Sequence, residues 1–237
     1  MRVKPNRRSL KRVPMLADLT PEALSAAEQL CTWRKYGPGE EIVGYQDSGD
    51  DVYFVISGAA KVKIYSTGGR EVGFRDLRPG DVFGEYAAID GAPRSASIEV
   101  ETECVVAMMR SADFLTVVTG SSEASLATLR HLVKQLRSLT LRVFEFSTLA
   151  VNNRIQAELL RLAREADQPV DGDANVARIP NPPKHADLAG RISTNREAVT
   201  RHLSYLSRNG VLHRPSGSWI IKDVARLEAM VREARSK

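Results

Sequence analysis

The amino-acid sequence predicts an α+β chain in which an antiparallel β domain is followed by one long helix and a small helical domain. Three observations carry this expectation. Length is the first: 237 residues exceed the ~100–200 of a usual single domain. The second is texture, because short β-rich runs cut by glycine fill the first half without βαβ alternation, and helical periodicity fills the second. Charge is the third. Residues 151–237 hold 15 Lys and Arg against 10 Asp and Glu, whereas the remainder holds 19 of each, so the formal net charge of +5 sits in the last third. A basic last third points to an anionic partner, nucleic acid first.

At the start, Arg2, Lys4, Arg7, Arg8, Lys11 and Arg12 form a basic stretch with no apolar run behind it, which argues for a solvated tail, against a signal peptide and for a cytoplasmic chain. No run approaches the ~18 apolar residues of a membrane span, so no membrane partner is expected. Residues 20–33 read as a helix, with Thr20 as N-cap, Pro21 at its first position, and Leu24, Ala27 and Leu30 as its buried stripe. After Gly37-Pro38-Gly39 come β-rich runs at 51–56, 60–65, 71–77, 96–100 and 104–109, separated by Ser57-Gly58, Gly68-Gly69 and Pro79-Gly80. Strands at this spacing suggest an antiparallel sandwich or barrel.

Residues 122–151 form a helical stretch without Gly or Pro. Leu126, Leu129, Val133, Leu136, Thr140, Val143, Ser147 and Ala150 fill a and d positions of four heptads. A second stripe, Leu132, Leu139 and Phe146, lies beside it. Two apolar edges suit a helix that pairs with a second copy and also packs on its own β domain, giving a parallel homodimer; the competing reading is one long core helix in a monomer. A helix at 154–164, a polar loop at 167–183, two short helices and a hairpin-like tail follow. The expected domains are 1–121, 122–151 and 152–237. Two cysteines, Cys31 and Cys104, and four scattered histidines, His131, His185, His202 and His213, supply no metal or redox framework. With no convergent acid–base pair either, an enzyme is not expected.

The run Pro79-Gly80-Asp81-Val82-Phe83-Gly84-Glu85-Tyr86-Ala87-Ala88-Ile89-Asp90-Gly91-Ala92-Pro93-Arg94-Ser95-Ala96 carries the strongest signal of the first half. Gly84-Glu85 opens a short helical turn whose backbone N–H groups can face an anion. Ten residues beyond Gly84, Arg94 brings a planar fork suited to phosphate oxygens, and Ser95 adds a hydroxyl. Glu85 would repel a bare anion, so it asks for a ligand that also offers a hydroxyl donor, such as a ribose 2′-OH. One anion plus one ribose hydroxyl describes a cyclic nucleotide. The competing reading makes Glu85 a helix-terminal acid and Arg94 a surface ion-pair residue.

This run resembles the phosphate-binding cassette of cyclic-nucleotide-binding domains, shared by the bacterial catabolite activator protein (CRP/FNR) family and cyclic-nucleotide-regulated kinases. The resemblance implies a β-roll in which Gly84 and Glu85 hold the ribose and Arg94 and Ser95 the cyclic phosphate; Tyr86 and Ala87 complete the candidate set. Tyr86 stands where the family usually has an aliphatic residue, and Ala88 where it has a larger one. Purine contacts are implied from the long helix at Leu139 and Thr140. Thr140 is already a polar a position, and a purine edge would partner its hydroxyl. The implied effector is cAMP, with cGMP as the alternative.

Residues 187–206 have helix-turn-helix proportions. On a helix from Arg196, Val199, Leu203 and Leu206 share one face, while Arg196, Glu197, Thr200 and Arg201 share the other. An acid among arginines suits base reading, since Arg forks onto guanine and Glu accepts from cytosine. Asn195-Arg196-Glu197-Ala198-Val199-Thr200-Arg201 resembles the recognition helix of the same family, which implies double-stranded DNA with TGTGA-like palindromic half-sites. Asn195 and His185 join the DNA-binding candidates; His185 and His202 are expected to touch phosphate or nothing. Ser193 replaces the family's turn glycine, and Ser216-Gly217-Ser218-Trp219-Ile220 reads as a wing. The expected whole is a winged helix-turn-helix regulator switched by a cyclic nucleotide. The alternative is a ligand-independent DNA-binding repressor with a vestigial pocket. RNA polymerase is a further conceivable partner for 167–183, though nothing in that loop requires it.

Overall fold

The computed structural model describes residues 9–65, 71–170 and 172–236. It divides into two compact units, Met1–Arg137 and Ser138–Lys237.

Among the described residues the first unit's first element is a 3-10 turn, Pro14–Leu16, in and beside which Leu10, Val13 and Leu16 are buried. Of the basic stretch, Lys11 and Arg12 are exposed as expected, although the neighbouring Leu10 and Val13 are buried; its residues 1–8 lie outside the described residues. Helix α1 (Pro21–Gln29) starts as the sequence predicts, with Thr20 Oγ1 accepting from Ala23 N at 3.2 Å. It stops earlier than predicted. Trp33 belongs to β1 (Thr32–Tyr36), where it pairs with Ala107, and Leu30 is exposed. A strand of Thr, Trp and Tyr beside a long neighbour outweighs the local helical pattern.

Strands β2 (Glu41–Val43), β3 (Val52–Tyr65), β4 (Glu71–Leu77) and β5 (Val82–Phe83) precede the short helix α2 (Glu85–Asp90). Strand β6 (Ser97–Met109) and helix α3 (Ser111–Thr119) lead to the long helix α4 (Ser122–Thr148). The antiparallel sheet has the order β1-β6-β3-β4, with β2 on β6 and β5 on β3. The runs expected at 51–56 and 60–65 are one strand, as are those at 96–100 and 104–109. The Ser57-Gly58 break is a set of bulges inside β3, not a turn. Gly58 has φ +84, and a Cβ there would sit 2.1 Å from the Glu103 carbonyl oxygen, so this close approach of two backbones admits only glycine. Alternation along β3 sends Val52 and Phe54 into one core with Phe114 and Met109, and Tyr53 and Val55 into another with Phe83 and Val106.

The second unit holds the end of α4 and then α5 (Val151–Ala166). Strands β7 (Pro169–Val170) and β8 (Asp173–Pro180), helices α6 (His185–Arg191) and α7 (Arg196–Arg208), strands β9 (Leu212–His213) and β10 (Ser218–Ile221), and α8 (Val224–Arg235) complete it. The helix predicted through 151 breaks at Leu149-Ala150, where Ala150 is extended. Just before the break, Ser147 Oγ donates to Val143 O at 2.9 Å and Thr148 Oγ1 to Phe144 O at 2.8 Å. Such back-bonding competes with helix propagation. The expected loop at 167–183 is largely a hairpin, whose β8 pairs with β10 from Pro180↔Ser218 to Ala177↔Ile221. Leu159, Leu188, Leu203, Leu206, Trp219, Ile221 and Leu227 form the core.

A buried charge network ties four helices of this unit together. Glu158 meets Arg161 of its own helix, Arg142 of α4 at 3.7 Å and Arg191 of α6 at 3.7 Å. Glu145 of α4 meets Arg161 at 2.8 Å and Arg235 of α8 at 2.6 Å. Burial lowers the Arg142 guanidinium from its ordinary value against the pull of Glu158, whereas for Arg161 the two carboxylates outweigh burial and raise it.

Candidate functional site

Arg94 follows α2 and is buried at 4 % exposure. Its backbone is clamped to a neighbouring loop, with Arg94 N donating to Asp47 O and Gln46 N to Arg94 O, each at 2.9 Å. The guanidinium donates from Nη1 to Gly84 O at 3.0 Å and from Nη2 to Asp51 O at 2.8 Å. It also lies over the Tyr53 ring, 5.8 Å from its centroid, and that ring stacks on Phe83. Burial, then the charge of Asp51, raises the Tyr53 phenol above its ordinary value, so it stays neutral. A surface ion-pair role for Arg94 is thereby replaced by a fixed, interior one.

Gly84 caps α2 with φ +84, and a Cβ there would come within 2.5 Å of Arg94 Nη1 and 2.6 Å of Asp51 O. Only glycine lets the fork lie where it does. Glu85, the first residue of α2, buries its carboxylate at 3 % exposure, with His131 Nε2 3.3 Å from Oε1. Ala87 is buried, and Tyr86 and Ser95 are exposed. The donor set fits a cyclic nucleotide: a guanidinium with N–H groups beyond those on the two carbonyls, and a buried carboxylate able to accept from a hydroxyl. Leu139 and Thr140 belong to the second unit, on α4, and both are exposed there.

His131, Tyr53 and Asp51 escape the sequence reading because they come from segments remote from 79–96. The available signal is physical: a carboxylate expected to be buried needs a donor. Arg75 of β4 is a further unforeseen neighbour; it donates to Val82 O at 3.0 Å and meets Gln135 of α4 once that amide is turned to accept.

In the second unit, α6 and α7 are joined by a turn in which Ser193 takes φ +53. Serine thus adopts the left-handed backbone that glycine would take without a Cβ penalty. Asn195 serves as N-cap, its Oδ1 accepting from Ala198 N at 2.8 Å. Val199, Leu203 and Leu206 are fully buried, and Arg196, Glu197, Thr200 and Arg201 are all exposed along one face of α7. His185 Nδ1 lies 2.8 Å from Thr200 Oγ1, which donates to Arg196 O at 2.9 Å. A hydroxyl has one hydrogen, so Nδ1 must donate. Burial, then Arg214 and Arg196, lower the His185 imidazole from its ordinary value. His202 is buried, 3.1 Å from Gln156 Nε2 and stacked on Tyr205, which agrees with the expectation of no phosphate contact better than with the alternative of one. The wing forms as β9 and β10, with Trp219 packed near His185.

Residues 33–120 match the family described as Cyclic nucleotide-binding domain, and residues 153–230 match Crp-like helix-turn-helix domain. The Cyclic AMP receptor protein of Thermus thermophilus is 31% identical over 222 residues, covering 92% of this chain and 97% of that one. The chain belongs to the CRP/FNR family of transcription regulators. Another CRP/FNR relative, the CRP-like cAMP-activated global transcriptional regulator of Mycobacterium tuberculosis, is 25% identical over 223 residues, covering 94% of this chain and 98% of the relative. The structure of FixK2 from Bradyrhizobium japonicum shares the fold, with a TM-score of 0.74 at 21% identity over 84% of this chain and 96% of that one.

Membership fixes the coarse assignment. This chain is a CRP/FNR regulator with a cyclic-nucleotide-binding domain and a helix-turn-helix domain. Among the described residues no helix is long and apolar enough to cross a membrane. Burial pushes the Cys31 thiol up to about 12, helped by Glu28 and Asp113, and the Cys104 thiol up to about 11. Neither is poised as a thiolate for redox sensing.

Proposed function

We propose that the chain is a homodimeric transcription regulator switched by cAMP, whose α7 reads a palindrome with TGTGA-like half-sites. One observation carries the effector reading: Arg94 and Glu85 are both buried beside Gly84, whose carbonyl the guanidinium holds and where a Cβ would collide with it. A buried guanidinium and a buried carboxylate that do not pair with each other suit a ligand with one anionic and one hydroxyl group. Arg94 and Ser95 would take the cyclic phosphate, Glu85 the ribose hydroxyl, and Thr140 and Leu139 the purine. Tyr86 and Ala87 would line the same segment. The two whole-length relatives are named for cAMP, which favours adenine over guanine.

The DNA reading assigns Arg196, Glu197 and Arg201 to base edges. Asn195 and His185 hold the start of α7 and Thr200 in place. Half-sites would lie about 34–36 Å apart, one helical turn. The functional segments would be the β-roll at 1–121, the helix and hinge at 122–151, and the reader at 152–237. Switching requires that the nucleotide bind the DNA-competent state more tightly than the inactive one, since equal affinity shifts nothing.

Calorimetry with cAMP and cGMP on the full chain, followed by titration of a palindromic duplex, tests this reading. The expected result is heat with cAMP and an operator affinity that rises with it. Arg94→Ala should cost about 2–5 kcal/mol of cAMP affinity, the range for truncating a buried hydrogen-bonded charge, and leave ligand-free DNA binding unchanged. Absence of heat with either nucleotide, with operator binding intact, would return the ligand-independent repressor.

A further inference from the structure

The Glu85 carboxylate raises a question that the effector reading leaves open. At 3 % exposure it cannot rely on water, and among the described residues the side chain that meets it is His131 of α4, Nε2 to Oε1 at 3.3 Å. His131 is itself mostly buried, its side chain 19% exposed. One turn along the same face of α4, Gln135 meets Arg75 of β4. The helix therefore lays two polar contacts on the β domain, and the first falls on the residue assigned to the ribose.

A glutamate side chain turns about three bonds, and its terminal torsion is broad. Left alone in this position, the carboxylate would sample several orientations, and ordering it would be charged against ligand binding. A donor on Oε1 removes that freedom and leaves Oε2 with both lone pairs for a hydroxyl. We propose that His131 is a positioning residue that aims Glu85 at the ribose 2′-hydroxyl and so sets the preference for ribonucleotide over 2′-deoxyribonucleotide effectors. The proposal rests on the cyclic-nucleotide reading of the pocket and adds to it the origin of sugar selectivity. Arg94 lies outside this effect, because its fork is fixed by the Gly84 and Asp51 carbonyls and not by α4.

The test is calorimetry of the full chain with cAMP and with 2′-deoxyadenosine 3′,5′-cyclic phosphate, in wild type, His131→Leu and His131→Gln. Wild type should favour cAMP. His131→Leu should weaken cAMP by about tenfold, the scale of one hydrogen bond to a charged group, and change the deoxy analogue by less than about twofold. His131→Gln, which keeps an N–H near the Nε2 position, should recover most of the cAMP affinity. Equal losses for both nucleotides, or no loss for either, would overturn the role of His131. Lack of binding of both nucleotides by wild type would overturn the pocket reading instead, so the two failures are distinguishable.

Discussion

His202 shows how a polar residue on α7 is drawn into the fold. Burial lowers its imidazole from its ordinary value, so the folded protein resists a proton that the unfolded chain accepts. With Gln156 Nε2 donating to ring Nε2, protonation would set two donors face to face. Below about pH 6.5 the unfolded state binds more protons, and stability falls with pH from there through the lowered folded value. The urea midpoint should therefore drop between about pH 7.5 and 5.5 by more in wild type than in His202→Gln, which has no proton to take up. Equal drops would assign the acid sensitivity to other groups. Gly84, Glu85 and Arg94 were legible because they lie within one short run whose chemistry is complete in residue types. Their partners were not, because Asp51 O is 43 residues and His131 46 residues away in the chain. Local pattern says which groups need partners, and only the fold says which remote segments supply them.

Helices and strands divide along the same line. The start of α1, strand β4 and the amphipathic α7 follow from caps and periodicity, which are properties of contiguous residues. The end of α1 does not, since Trp33 joins β1 through pairing with β6. Nor does the hairpin of β7 and β8, whose polar sequence is held as strand by β10. The α4–α5 break depends on both local and remote effects. Ser147 and Thr148 loosen the helix end locally, while Glu145 and Glu158 fix its flanks to α6 and α8 through Arg142, Arg161, Arg191 and Arg235. Glu158 is 1 % exposed, so its removal deprives Arg142 of its main counter-charge and takes one carboxylate from Arg161 and Arg191. Glu158→Ala should destabilise the second unit by about 3–5 kcal/mol, the range for breaking a buried pair from one side. Urea unfolding followed by a probe in that unit, such as Trp219 fluorescence, measures it. An unchanged midpoint would show that water screens the network.

Along α4, Leu126, Leu129, Val133 and Val143 are 46%, 59%, 47% and 64% exposed, on a stripe with a and d spacing. Burying one such side chain is worth about 1.5–3 kcal/mol, so a stripe of four, continued by Leu139 and Phe146 on its flank, supports the proposed pairing with a second copy of the same helix. In a parallel pair each a residue faces its own equivalent, and a charge placed there meets a like charge. Val143 is a d position of this seam, where residues of a parallel pair likewise face their equivalents, and a glutamate in its place would bring two carboxylates together where apolar groups are expected. Val143→Glu should therefore shift the protein from dimer to monomer in sedimentation velocity while leaving the helical content unchanged. The consequence for DNA follows from effective concentration: two linked readers bind a palindrome about 10²–10⁴-fold more tightly than one reader binds a half-site. Wild type should show that ratio in the presence of cAMP, and Val143→Glu should bind palindrome and half-site duplexes alike. A variant that stays dimeric, or a monomer that still prefers the palindrome, would move the pairing surface away from α4.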